Sequence, residues 1–135
     1  MTKFTASALT HLLVVSDAHA SRDWYVGVLD ASVYAEYGGT SVVLDLLGNW
    51  LLLVTGGEPT ADKPSVTFGP PLDSDYQSAE IVFRVDDCRA VFRLLKSRGA
   101  EFLAEPVDWG SEVRAFFQDP DGHLFEISEL TGRRS

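Results

Sequence analysis

The chain repeats itself, and that repetition limits what it can fold into more than any other feature. His11-Leu-Leu-Val-Val-Ser-Asp17, a strand-like run ending in an acidic turn, returns as Glu80-Ile-Val-Phe-Arg-Val-Asp86. Gly48-Asn-Trp-Leu-Leu52-Leu-Val returns as Gly122-His-Leu-Phe-Glu126-Ile-Ser. A duplicated unit builds a pseudo-symmetric body whose equivalent positions converge on one cavity. The echo makes His11, Leu52, Glu80 and Glu126 equivalent, and three of the four carry side chains that bind metals.

Each half spells the same order of elements. Residues 9–16 are apolar and β-branched enough for a buried strand, and Ser16 and Asp17 then supply helix N-cap chemistry. The spacing predicts a helix from Asp17 to Leu29 that turns Trp24, Tyr25, Val28 and Leu29 inward. Strands follow at about 32–37, 41–47 and 49–55, parted by Gly38-Gly39 and Gly48-Asn49. The second half repeats this with a strand at 79–85, a helix from Asp87 to Arg98 closed by Gly99, and strands near 101–108, 112–118 and 123–129. Asp119-Pro-Asp-Gly122 marks the last turn. Between the halves, residues 56–78 are rich in proline, glycine and acids and read as a surface seam. The expected fold is therefore α+β: two tandem βαβββ modules, at about 9–55 and 79–130, forming a curved mixed sheet around a cavity in a single domain, with a frayed tail from Thr131.

Charge and composition narrow the function classes. Twenty acidic against eleven basic residues give a net charge of −9, which repels nucleic acid and anionic lipid. No apolar run approaches the roughly 18–20 residues of a membrane span. One cysteine, Cys88, leaves no internal disulfide to form, and no secretory leader pattern opens the chain, so a reducing cytoplasm is the expected compartment. Cys88 reads as a buried structural thiol. Exposed strand edges favour a homodimer, with modules pairing either within one chain or between two.

Alternation along the strands selects the inward side chains. In the strand 79–85, Ile81, Phe83 and Val85 form an apolar face for the helix, which leaves Glu80, Val82 and Arg84 on the other. The same rule groups Leu124, Glu126 and Ser128, and sets Leu52 beside Trp50 and Val54. Substrate-facing candidates are Tyr34, Trp50, Leu52, Arg84, Trp109, Arg114 and Phe116, with the face of Arg114 open because a bulge near Gly110 would flip it. Aromatic rings with one or two guanidiniums suit a planar molecule carrying a carboxylate, phosphate or enolate. Without a metal, two inward carboxylates repel and one should hold a proton, unless Arg84 neutralises Glu80.

The His11 strand, Glu80-Ile-Val-Phe-Arg-Val-Asp-Asp87, Arg98-Gly-Ala and Asp119-Pro-Asp-Gly-His-Leu-Phe-Glu126, together with the repeated βαβββ order, resemble the vicinal oxygen chelate superfamily over residues 9–130. That superfamily includes glyoxalase I, bleomycin-resistance proteins, fosfomycin-resistance enzymes and extradiol dioxygenases, and hosts many reactions on one fold. The resemblance implies metal ligands at His11, Glu80 and Glu126, with Leu52 where four-ligand members coordinate. One imidazole and two carboxylates suit Mn, Fe, Ni or Zn. A metalloenzyme of this kind chelates two adjacent oxygens of a small substrate, with Glu80 or Glu126 as catalytic base, in lyase, isomerase or dioxygenase chemistry. The alternative is a metal-free protein that sequesters a ligand in the manner of bleomycin-resistance proteins, with Glu80 and Glu126 as counter-ions.

Overall fold

The computed structural model describes residues 2–134. The chain divides into two compact units: residues up to Val26 with Asp30–Gly69, and Gly27–Leu29 with Pro70 onward. In the first unit, β1 (His11–Val15), α1 (Ala18–Leu29), β2 (Ser32–Tyr37), β3 (Ser41–Leu46) and β4 (Asn49–Thr55) follow in order, and the sheet runs β1-β4-β3-β2. In the second, β5 (Ile81–Arg84) and α2 (Cys88–Ser97) precede β6 (Glu101–Phe102), β7 (Val107–Asp108), β8 (Glu112–Gln118) and β9 (Leu124–Leu130). Its sheet runs β5-β9-β8-β6, with β7 also on β8. In each sheet the first strand pairs parallel with the last and the remaining pairs are antiparallel. The expected α+β architecture of two βαβββ modules is thus observed as two mixed sheets. No helix among the described residues is long and apolar enough to cross a membrane.

Local chemistry accounts for the element ends. Asp17 caps α1 by accepting from the backbone N–H of His19 and Ala20, each at 3.0 Å, and Asp87 caps α2 by accepting from Ala90 at 3.0 Å. Asp30, in the left-handed region at φ 57°, ends α1, and Gly99 at φ 103° follows the end of α2. Asp119 organises the β8–β9 turn: its carboxylate accepts from Asp121 at 3.0 Å and His123 at 2.8 Å. Gly122 sits at φ 92° in that turn, and a Cβ there would lie 2.8 Å from the Cβ of Ser74.

Three local expectations give way. The strand expected at 101–108 is two short strands, because a bend at Leu103–Glu105 and Pro106, which lacks an N–H, interrupt the ladder. The seam is more ordered than its composition implies. Gly57 and Phe68 exchange backbone hydrogen bonds of 2.9 Å, and the ammonium of Lys63 donates to the carbonyls of Glu58 and Val66. Residues 131–133 are tied down: the Thr131 hydroxyl donates to the Gly110 carbonyl, and Arg133 grips both carboxylate oxygens of Asp108 at 2.9 and 3.1 Å. Ser135 lies outside the described residues.

Each unit has its own core. Val15, Val42, Leu44, Leu46, Leu51 and Leu53 are buried on one face of the first sheet. On the second, Val113, Ala115, Phe117, Phe125 and Ile127 are buried with Cys88, Phe92 and Leu95 of α2, which packs on β8 and β9. Phe117 and Phe125 stack with centroids 5.3 Å apart.

Two turns yield stability predictions. Leu47 occupies the left-handed region at φ 54° ahead of Gly48 at φ 79°, in a β3–β4 turn that favours Asn-Gly. Leu47→Asn should stabilise the protein by roughly 0.5–1 kcal/mol in denaturant unfolding, since a branched side chain pays more to sit there. Gly122→Ala should cost about 1–3 kcal/mol through its positive φ and the Ser74 contact. Adding Ser74→Gly should recover the contact part, and strict additivity of the two changes would contradict this account.

Candidate functional site

The site is built by the register of the second sheet. Parallel pairing sets Val82 beside Glu126 and Arg84 beside Ser128. Antiparallel pairing sets Phe116 beside Glu126 and Arg114 beside Ser128. Paired residues share a face, so Val82, Arg84, Glu126, Ser128, Arg114 and Phe116 lie on the side away from the α2 core. The β8–β9 ladder runs unbroken from Glu112 to Gln118, so no bulge flips Arg114.

Glu126 is the chemical centre of this face. It is buried, with 7% of its surface exposed, while Glu80, the residue before β5, is exposed. Burial first, then hydrogen bonding with Glu80 and the charge of Glu80, push the Glu126 carboxyl up to about 7. A buried carboxyl beside a second one favours its protonated form. Arg114 opposes the rise and Glu112 adds to it. Arg84 does not need Glu80: its guanidinium donates to the buried Ser128 hydroxyl at 2.8 Å.

Arg84, Ser128 and Arg114 form a row across three strands, which spans about 10 Å at normal strand spacing. Arg114 is held between rings, its guanidinium carbon 5.4 Å from the Trp109 centroid and 5.5 Å from that of Phe116. One nitrogen, Nη1, donates to Glu112 at 3.3 Å. The Nε is buried with no hydrogen-bond partner, an arrangement that costs about 1–3 kcal/mol in an empty site. A cavity of about 110 Å³ is lined by Leu103, Val107, Trp109, Arg114 and Phe116. A larger, open hollow near Phe92, Lys96 and Phe102 contains none of the candidate residues.

The first unit differs at the matching positions. Its parallel ladder pairs His11 with Leu51, Leu12 with Leu52 and Leu13 with Leu53. His11 therefore shares the face of the buried Leu51 and Leu53, and Leu52 shares the opposite face with Trp50. Val82 and Leu12 each stand five residues before the helix cap, Asp87 or Asp17. Counting in step, Glu80 matches Thr10, Ile81 matches His11 and Glu126 matches Leu52. The equivalence of His11 with Glu80 expected from the sequence is thus one residue out of register, and a shift of one turns a strand side chain to the other face. Of the acidic pair Asp86-Asp87, it is the second that caps α2 and so corresponds to Asp17.

The donor set follows from this. Counted from the helix caps, the positions of Glu80 and Glu126 in the second unit carry Thr10 and Leu52 in the first. Among the described residues no three of His, Cys, Asp and Glu are grouped to hold a metal ion. Within the second unit Glu126 is buried and acted on by Glu80, and within the first His11 lies on the face of Leu51 and Leu53.

The remaining candidates divide between the units. Tyr34 and Trp50 of the first meet edge to face at 4.5 Å and are exposed, so Trp50 is not core; Leu52 is half-buried beside them. Arg84, Trp109, Arg114 and Phe116 stand with the carboxyl pair in the second. Ser128, Leu103 and Val107 were not singled out, although alternation from Glu126 points to Ser128. Cys88 is buried, and burial and Glu129 push its thiol up to about 11, which suits a structural residue and not a nucleophile.

Residues 8–127 match the family described as the Glyoxalase/Bleomycin resistance protein/Dioxygenase superfamily. The chain is 32% identical over 117 residues to biphenyl-2,3-diol 1,2-dioxygenase 2 of Rhodococcus globerulus, covering 86% of this chain and 58% of that enzyme. It thus spans little more than half the length of that dioxygenase. A glyoxalase/bleomycin resistance protein/dioxygenase from Nocardioides shares the fold with a TM-score of 0.77 at 19% identity, over 99% of this chain and 91% of that one. The fosfomycin resistance protein FosX from Listeria monocytogenes shares it with a TM-score of 0.67 at 18% identity, over 96% and 97%. A match over nearly the whole chain, on two βαβββ units, places this protein in the glyoxalase, bleomycin resistance protein and dioxygenase superfamily.

Proposed function

We propose that this protein binds a small organic molecule on the face of its second sheet that carries Glu126, through Glu80 and Glu126, without a resident metal. The observation that carries this reading is the buried Glu126 carboxyl, acted on by Glu80, while His11 lies on the Leu51 and Leu53 face of its own sheet. A protonated Glu126 donates to one ligand oxygen while Glu80 accepts from a neighbouring hydroxyl. The pair therefore recognises two adjacent oxygens by hydrogen bonding. If the bound molecule carries an acidic C–H beside a carbonyl, the same pair provides an acid and a base side by side, since a group titrating near neutrality suits proton transfer. Trp109 and Phe116 supply apolar surface for the rest of the ligand.

The metalloenzyme reading, with Mn, Fe, Ni or Zn on His11, Glu80 and Glu126, has superfamily membership behind it and the His11 register against it. A cytoplasmic homodimer completes the proposal, on the grounds of the lone thiol and the exposed edges β1, β2 and β5.

Elemental analysis of untagged protein purified without chelators separates the two. The proposal expects no stoichiometric metal and no greater thermal stabilisation by Mn²⁺ or Zn²⁺ in the wild type than in Glu126→Gln. Near-stoichiometric metal that disappears in His11→Ala would overturn it and establish the metalloenzyme.

The carboxyl pair also sets a pH dependence. Glu126 is raised in the folded state, so between about 4.5 and 7 the native protein holds a proton that the unfolded chain releases. Stability from this group is full below that window and is lost as pH rises through about 7. Glu126→Gln should flatten this fall and be the more stable protein above it, in urea unfolding across pH. Carboxyl NMR should show Glu126 titrating near 7, and Glu80→Gln should lower that midpoint.

A further inference from the structure

Arg114 is the feature of the second unit that folding alone does not explain. Its guanidinium is fixed between Trp109 and Phe116 and tethered to Glu112, yet its Nε is buried with no acceptor. Buried donors are nearly always satisfied, by protein or by something bound. The adjoining cavity, at about 110 Å³, falls below the ~300–1,000 Å³ of pockets for drug-sized ligands. It admits a small group or ring, and its walls are mainly apolar: Leu103, Val107, Trp109 and Phe116. Along the same row, Ser128 and Arg84 add a hydroxyl and a second guanidinium.

We infer that this cavity and the Arg84–Ser128–Arg114 row take the carboxylate of a small planar acid, with Arg114 as the residue that selects for the anion. This inference rests on the proposed ligand site and names the class of molecule it takes. A planar fork held against two rings is organised in advance for a carboxylate, and the same rings offer a planar ligand an apolar surface. A singly charged acid suits the site better than a phosphate dianion, because Glu112 already offsets part of Arg114 and Glu126 and Glu80 stand on the same face. The acid's other oxygens face Glu80 and Glu126.

Benzoate, benzamide and benzylamine test this as probes of near-equal shape and different charge. Binding is read by quenching of tryptophan fluorescence and by calorimetry, in the wild type, Arg114→Gln, Arg114→Lys and Trp109→Phe. The expected result is saturable benzoate binding about tenfold tighter than benzamide, with benzylamine weakest. Arg114→Gln should bring benzoate and benzamide to equal affinity. Arg114→Lys, which keeps the charge but not the Nε fork, should weaken benzoate about fivefold, so the inference stays testable if the glutamine variant does not fold. Trp109→Phe should remove the fluorescence response while calorimetry still detects binding.

Equal affinity for benzoate and benzamide in the wild type, or benzoate binding unchanged in both Arg114 variants, overturns the inference. Benzamide binding that is lost in Glu126→Gln while Arg114→Gln retains it would leave the ligand site standing and remove only the anion subsite. No binding of any probe, together with a Glu126 that titrates as an ordinary carboxylate, would remove both.

Discussion

Everything at the site depends on the parallel pairing of β5 with β9. Parallel pairing of the first and last strands of a unit is possible only because the intervening helix and strands carry the chain back to the starting edge. Its register then decides which side chains share a face. With Val82 opposite Glu126, the residue two positions earlier, Glu80, comes within hydrogen-bonding reach of a buried carboxyl. Slipped by one residue, the sheet would keep its strands and lose the carboxyl pair, because Glu126 would enter the aromatic core with Phe117 and Phe125.

The electrostatics of the face follow from that placement. With Glu126 held toward its neutral form, the two carboxyls carry little more than a single negative charge, and the guanidiniums of Arg84 and Arg114 stand one strand away on either side. Glu112 and Ser128 engage those guanidiniums in part. The face is close to neutral inside a protein of net charge −9. That charge therefore resides on the outer surface and does not determine what the site prefers, a distinction the overall composition hides.

Duplication produced two units of like topology with unlike faces. Where the second carries Glu80 and Glu126, the first carries Thr10 and Leu52, and its exposed face displays Trp50 and Tyr34. The backbone pattern has been kept, down to an aspartate cap on each helix. The polar chemistry has been kept on one side only.

The sequence by itself determined the repeat, the order of elements, the helix caps, the Asp119 turn and the superfamily, because periodicity, caps and turns are local signals carried by neighbouring residues. It also placed Glu80, Arg84, Glu126 and Ser128 on common faces by alternation alone. It could have placed Thr10 rather than His11 opposite the second unit's Glu80, had the count run back from each helix cap: seven residues before Asp87 is Glu80, and seven before Asp17 is Thr10. Only the tertiary structure decided which carboxyl is buried, that Glu80 acts on it, that Arg84 turns to Ser128, and that Arg114 stands against two rings with its Nε unanswered. The carboxyl and Arg84 contacts join residues 44 or more positions apart, as Arg84 and Ser128 are, and the buried Nε depends on how a sheet excludes water. No local pattern encodes either.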